Sequence, residues 1–313
     1  MDRKNNTARV LSISRAEAWP PLALQDWQET YHNLHMWTQM VGKIRLALTA
    51  KTNHWWNVPL YVNARGLTTS PIPYENFVFE IQFDFIDHKL LIDRSDGVRR
   101  QLRLAPCTVA EFYAEFMAAL HALGIEVTIY GKPVEVLDPI PFAEDRLYSA
   151  YDSGAVQRFW HILVSCDEVF KQFRARFLGK NSPVQFFWGS FDLAVTRFSG
   201  RRAPVRPDAD PITREAYSHE VISAGWWPGA GLDGPAFYCY AAPAPAGFEM
   251  QMVHPRAAFY HTGLKEFILM YDRVRMAEAP DQVLLEFLQS TYEAAAGLAK
   301  WNRRELEKSS PAA

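Results

Sequence analysis

Apolar residues recur along this chain at two spacings, and the spacing separates helices from strands. Between Leu24 and Leu48 the stripe Trp27, Tyr31, Leu34, Trp37, Val41, Ile44 and Leu48 returns every three or four residues, predicting an amphipathic helix with Gln39 and Lys43 off the stripe. From Phe77 the period falls to two. Phe77, Phe79, Ile81, Phe83 and Phe85 alternate with Val78, Glu80, Gln82 and Asp84, predicting a strand with one dry and one wet face. Strands over 89–92 and 101–104 follow, joined through the turn signal Asp96-Gly97, so the segment reads as an antiparallel meander. Thr108 with Glu111 forms a capping box that opens a helix, Gly124 closes it, and Ile125 to Ile129 returns as a strand. The stretch 66–73 reads as loop or extended chain because of Pro71 and Pro73.

The order then restarts. After a proline-rich linker at 138–153, Ala155 to Phe177 reads as a helix, Pro183 to Trp188 and Leu193 to Phe198 as strands, Phe267 to Tyr271 as a strand, and Pro280-Asp281 opens a last helix. The expected fold class is α+β: two similar halves, each a mainly antiparallel sheet covered by helices. The repeated order fits internal duplication and also fits chance. The expected organisation is a flexible segment over 1–26, an N-terminal half over 27–150, a C-terminal half over 151–301 and a tail over 302–313.

Composition narrows the class. Hydrophobic residues make up 49% of the 313 and charged residues 22%, a globular balance that excludes wholesale disorder. A net charge of -2 with short, scattered arginine pairs leaves no basic field for nucleic acid. No stretch reaches the apolar length of a membrane span, and Met1 to Arg15 lacks a signal-peptide core. The three cysteines, Cys107, Cys166 and Cys239, have no paired spacing, so the expected setting is the cytoplasm.

Candidate chemistry lies where aromatic residues are threaded with polar ones: His54-Trp55-Trp56, Phe186 to Asp192, Ser218-His219-Glu220 with Trp226-Trp227, and Phe237 to Tyr240. Alternation along 191–198 puts Asp192, Ala194, Thr196 and Phe198 on one strand face, and Phe191, Leu193, Val195 and Arg197 on the other. A buried Arg197 needs a carboxylate or an anionic ligand. His219 and Glu220 would project to opposite faces of a strand. With no second histidine at metal spacing, neither a metal nor another cofactor is expected. Nucleophile-elbow, P-loop and dinucleotide fingerprints are missing as well. The glycine-rich run 223–234 with its two tryptophans reads as a lid, a pocket wall or a segment packed on the core.

The runs His35 to Leu46, Asn53 to Val62, Arg65 to Pro73, Phe186 to Arg202, Tyr217 to Gly229 and Ser290 to Glu293 resemble an uncharacterised bacterial family, domain of unknown function 5996. The resemblance extends from about Trp27 to Trp301. It implies one full-length unit and assigns no catalytic residue.

Two functions stay open. In the first, an enzyme or small-molecule binder forms a pocket from His54, Trp55, Trp56, Trp188, Asp192, Arg197, His219, Glu220 and Trp227. His219 would exchange the proton, Asp192 or Glu220 would orient it, and Arg197 would hold an anionic group. In the second, an aromatic loop docks a partner protein.

Overall fold

The computed structural model describes residues 14–308. The expected segment 1–26 and tail 302–313 fall partly outside the described residues. Within them, Trp19 and Leu22 are buried, and the Trp19 indole donates to Asp281 at 2.9 Å.

Among the described residues there are eight helices and two antiparallel sheets of six strands each. After α1 (Arg15–Ala18), the long helix α2 runs over Gln28–Leu48. It starts later than the apolar stripe does, because Trp27 sits at φ -140°, ψ 21° and separates it from a 3-10 turn at Leu24–Asp26. Next come β1 (Tyr61–Asn63), β2 (Gly66–Thr68), β3 (Ile72–Tyr74), β4 (Phe77–Asp84), β5 (Lys89–Arg94), β6 (Arg99–Arg103) and helix α3 (Val109–Ala122). The second half holds α4 (Ser153–Ala175), β7 (Gln185–Phe187), β8 (Asp192–Arg202), the short α5 (Pro211–Ala216), β9 (His219–Trp227) and β10 (Ala236–Ala242). It closes with β11 (Phe259–His261), β12 (Glu266–Met270), α6 (Tyr271–Arg275), α7 (Pro280–Leu298) and α8 (Arg303–Leu306).

Several local signals are realised directly. Thr108 and Glu111 form the reciprocal cap of α3, and Gly124 after it takes φ +73°. Gly97 turns the β5–β6 hairpin at φ +88°. Two expectations are corrected. The segment 66–73 contributes two short strands, β2 and β3, both paired to β4. Conversely, 125–129 makes no strand. Its backbone at Glu126 is met by the Tyr74 hydroxyl, which accepts from the amide at 2.9 Å and donates to the carbonyl at 3.2 Å, so a side chain takes the place of a neighbouring strand.

The first sheet runs β1-β2-β4-β5-β6, with β3 on the end of β4; the second runs β11-β12-β10-β9-β8-β7. They meet edge to edge, where Leu60 and Phe186 exchange backbone hydrogen bonds of 2.9 and 2.8 Å. One hydrophobic cluster passes through both halves: Trp37, Phe83 and Phe116 from the first, Phe159, Trp226, Phe267 and Leu288 from the second. Helix α2 is buried on nearly every side from Asn33 to Ile44, so its polar residues there must find partners inside the protein.

Candidate functional site

The pleat of β8 decides what can meet what. Leu193, Val195 and Arg197 face the helices, whereas Asp192, Ala194, Thr196 and Phe198 face the other way. Register carries that outer face across the second sheet through Trp227, Gly225, Ser223 and Val221 of β9 and Tyr238, Tyr240 and Ala242 of β10 to Ile268 and Glu266 of β12.

At one end of this face Tyr238 reaches Asp192. The two strands that carry them are separated by β9, and the residue lying between them is Gly225. A Cβ there would stand 2.5 Å from both the Tyr238 ring and the Leu193 carbonyl oxygen, so the missing side chain is what lets the phenol lie across the strand. The Tyr238 hydroxyl then donates to Asp192 Oδ2. Trp227 lies 5.8 Å from Tyr238 between ring centroids, and Tyr240 stacks parallel to Tyr238 at 6.1 Å. Glu266 lies one step along β12 from the Phe267–Cys239 pair and therefore borders Tyr240. A tyrosine platform thus has a carboxyl at each end, their backbones three strand spacings across and four residues along the strands, about 19 Å apart, with the side chains reaching toward one another over the rings.

Both carboxyls hold protons unusually well. Burial pushes Asp192 up to about 7, further raised by Glu135 and partly offset by the Tyr238 hydroxyl. Burial also pushes Glu266 up to about 7, with Asp192 adding to the effect.

Asp192 is aimed from inside the protein. Phe191 takes φ +58°, a strained left-handed position that sends its ring into the core and leaves the following carboxylate on the outer face. Glu135, also left-handed at φ +55°, lies over Gly189 and accepts a hydrogen bond from Ser190. Two buried polar residues of α2 hold these loops. Gln39 exchanges hydrogen bonds of 2.8 Å with both backbone groups of Val134, and His35 Nε2 donates to the Gly189 carbonyl at 2.8 Å. Burial lowers His35 to about 4, so it stays a neutral donor at physiological pH.

A second group gathers at the far end of the same face. The His54 ring lies 4.6 Å from Phe198, 5.6 Å from Trp56 and 5.6 Å from His219. Lys180 stands over Trp56 and Phe198 at 5.2 and 5.0 Å. Six residues of β8 separate Phe198 from Asp192, about 20 Å.

The nine sequence candidates therefore do not share one cavity. Asp192 joins Trp227, and His54 joins Trp56 and His219. Glu220 points away from His219 and pairs with Arg201 at 2.7 Å. Trp55 takes the Lys51 ammonium over its ring at 4.3 Å. Trp188 packs on Gly42 of α2 and donates to the Val58 carbonyl at 2.9 Å. Arg197 is 1% exposed on the helix side of the sheet, where it donates to the Phe173 carbonyl between the rings of Phe173, at 3.4 Å, and Tyr292, at 4.2 Å. Its nearest acid acts at one remove, through the Tyr292 hydroxyl that donates to Glu307 at 2.8 Å. Cation–π contact replaces the carboxylate that sequence reasoning required, and burial lowers the guanidinium to about 10.

The run 223–234 also divides. Residues up to Trp227 are strand, and Trp226 is fully buried against Phe159 and Tyr271. Surface grooves of about 410 Å³ along α7 and about 160 Å³ beside β9 include only Glu220 of the nine candidates. Among the described residues no three His, Cys, Asp or Glu side chains assemble as a metal-binding group, and no helix is long and apolar enough to cross a membrane. Glu266 and Glu135 are the site residues that sequence reasoning missed altogether; Tyr238 lies in the aromatic run Phe237 to Tyr240 and Gly225 in the run 223–234, but neither was singled out. The one available signal was Gly225 itself, a glycine within a strand beside an aromatic cluster.

Compared with known proteins, residues 19–308 match the family described as "Family of unknown function (DUF5996)". No curated protein and no solved structure matches the chain.

Proposed function

We propose, for a chain that belongs to the DUF5996 family of unknown function, a small-molecule-binding role on the outer face of the second sheet. The ligand carries an ammonium or guanidinium group. It lies on Tyr238, Tyr240 and Trp227 and is neutralised by Asp192 and Glu266. The observation that carries this reading is the Tyr238–Asp192 contact across Gly225, which fixes a desolvated carboxyl beside an aromatic platform.

The physical case is one of mismatch in the unliganded protein. Two carboxyls pushed up to about 7 by burial resist ionisation, and among the described residues no cation acts on either. A cation placed between them satisfies both, and the ring faces supply an attraction of about 0.5–2 kcal/mol. The position of Asp192, desolvated and met by the Tyr238 hydroxyl at the edge of the platform, also makes it our candidate for proton exchange in any catalysis here.

The test is calorimetric titration of the purified chain with primary amines and alkylguanidines, each beside its neutral alcohol or amide isostere. Cations are expected to bind and the isosteres to fail. Affinity should fall by roughly tenfold per pH unit below 7 for each carboxyl that the cation ionises, approaching a hundredfold where it pairs with both, since binding then has to expel those protons. Equal affinity for the isosteres, or no cation bound across the panel, contradicts the reading.

A further inference from the structure

The group at the far end of the face carries chemistry of the opposite sign. His54 Nδ1 lies 3.2 and 3.3 Å from the carbonyls of Glu215 and Ala216. Carbonyls only accept, so this nitrogen bears the hydrogen. Ser218 Oγ donates to the Glu215 carbonyl at 2.7 Å, which leaves it to accept from His219 Nδ1 at 3.0 Å. Both rings are therefore held in one tautomer with Nε2 uncommitted, and among the described residues neither Nε2 has a hydrogen-bond partner. The rings are 5.6 Å apart.

The surrounding charge is positive. Lys180 reaches in from the chain before β7, and Arg202 of β8 is the backbone partner of His219. Of the nearby acids, Glu215 of α5 is paired to Lys51 at 2.6 Å, and Glu220 turns to Arg201. Asp210 is spent capping α5. Burial together with Lys180 lowers both imidazoles from their ordinary range, with Arg202 adding to the effect at His219. The backbone is set for this placement at some cost, since His54 and Trp55 are consecutive left-handed residues at φ +56° and +59°.

From this geometry we infer that His54, His219, Lys180 and Arg202 form an oxyanion site for a phosphoryl or sulfuryl group, beside the flat face of Trp56. An entering oxyanion takes hydrogen bonds from the two Nε2 atoms once they are protonated, and ion pairs from Lys180 and Arg202. The site gains protons as it fills, so it binds more tightly as pH falls. It is independent of the cation site about 20 Å away along β8.

Sulfate is the probe of choice because its own charge does not change between pH 6 and 8. Imidazole ¹⁵N signals of His54 and His219 are followed as sulfate is added at both pH values. We expect both rings to shift, their titration midpoints to rise by a unit or more, and affinity at pH 6 to exceed that at pH 8 by at least tenfold. Lys180→Gln and Arg202→Gln should each weaken binding several-fold while amide spectra show the fold intact. Phenyl phosphate should outbind sulfate if Trp56 contributes its face; equal affinity removes Trp56 from the site. Imidazole titrations indifferent to sulfate, or unchanged binding in both variants, overturn the inference. So does uptake of Zn²⁺ by the two rings with no response to either anion.

Discussion

Asp192→Asn should abolish cation binding and at the same time stabilise the protein above pH 7. The sign follows from linkage. Folding raises the Asp192 pKa from 3.8 to about 7, so between these values the folded chain retains a proton that the unfolded chain has released. Stability therefore falls as pH climbs through that window and levels off above it. Three pK units at about 1.4 kcal/mol each set an upper bound near 4 kcal/mol, and a gain of about 2–4 kcal/mol is expected for the variant at pH 8. Thermal melts would show it as a rise of roughly 5–10 °C. Below about pH 4 the two proteins should melt together, because both then carry a neutral side chain. Asparagine still accepts from Tyr238, so packing is not the variable. A variant that is less stable than the parent at pH 8 would show that Asp192 belongs to the scaffold and not to a site held at a cost. Stability gained where function is lost is the usual mark of a strained functional group.

Gly225→Ala should have the opposite effect on stability and the same effect on binding. The new methyl meets Tyr238 and, more seriously, the Leu193 carbonyl of the next strand, which cannot swing aside as a side chain can. Overpacking of this kind costs about 1–3 kcal/mol. Tyr238 is displaced from Asp192, and cation affinity should drop at least tenfold. Tyr238→Phe separates the two consequences, since it keeps the ring and deletes only the hydroxyl. As that hydroxyl lowers the Asp192 pKa, its removal should raise it further. Gly225→Ala with parental stability and parental affinity would mean that the phenol does not need to cross the strand.

Sequence period read the faces of this protein correctly and then did not limit what was pooled. The alternation of 191–198 already set Arg197 opposite Asp192, and the strand reading of 218–220 already set Glu220 opposite His219. Gathering all four into one pocket overrode the same pleat that had separated them. Aromatic periodicity placed α2 and β4 well, because burial of an apolar stripe is a local property of the chain. The partners of Asp192 were out of reach for a different reason. Glu266 comes into play because β12 pairs with β10 while β11 lies outside it, and nothing local to either strand specifies that order. Arg197 was read as needing a carboxylate or an anionic ligand because sequence shows charge, while the rings of Phe173, Phe177 and Tyr292 converge on it from α4, the turn that follows α4, and α7.

The His35 and Gln39 pair illustrates the middle ground. Their one-turn spacing on α2 was legible, but an amphipathic stripe with Gln39 off it predicts exposure, and their burial comes from tertiary packing that covers the helix on all sides. Their purpose, clamping Val134 and Gly189 so that Glu135 and Asp192 face one another, depends on loops whose course the sequence does not encode in any periodic way.

Everything proposed for the platform requires that Asp192 be a reluctant acid whose ionisation a cation favours. Carboxyl ¹³C titration of the intact chain, assigned through Asp192→Asn, measures this directly with and without the best-binding amine. A midpoint close to 7 in the free protein, falling by a unit or more when the amine is bound, is the predicted result. A midpoint near 4 that ignores the amine would contradict it.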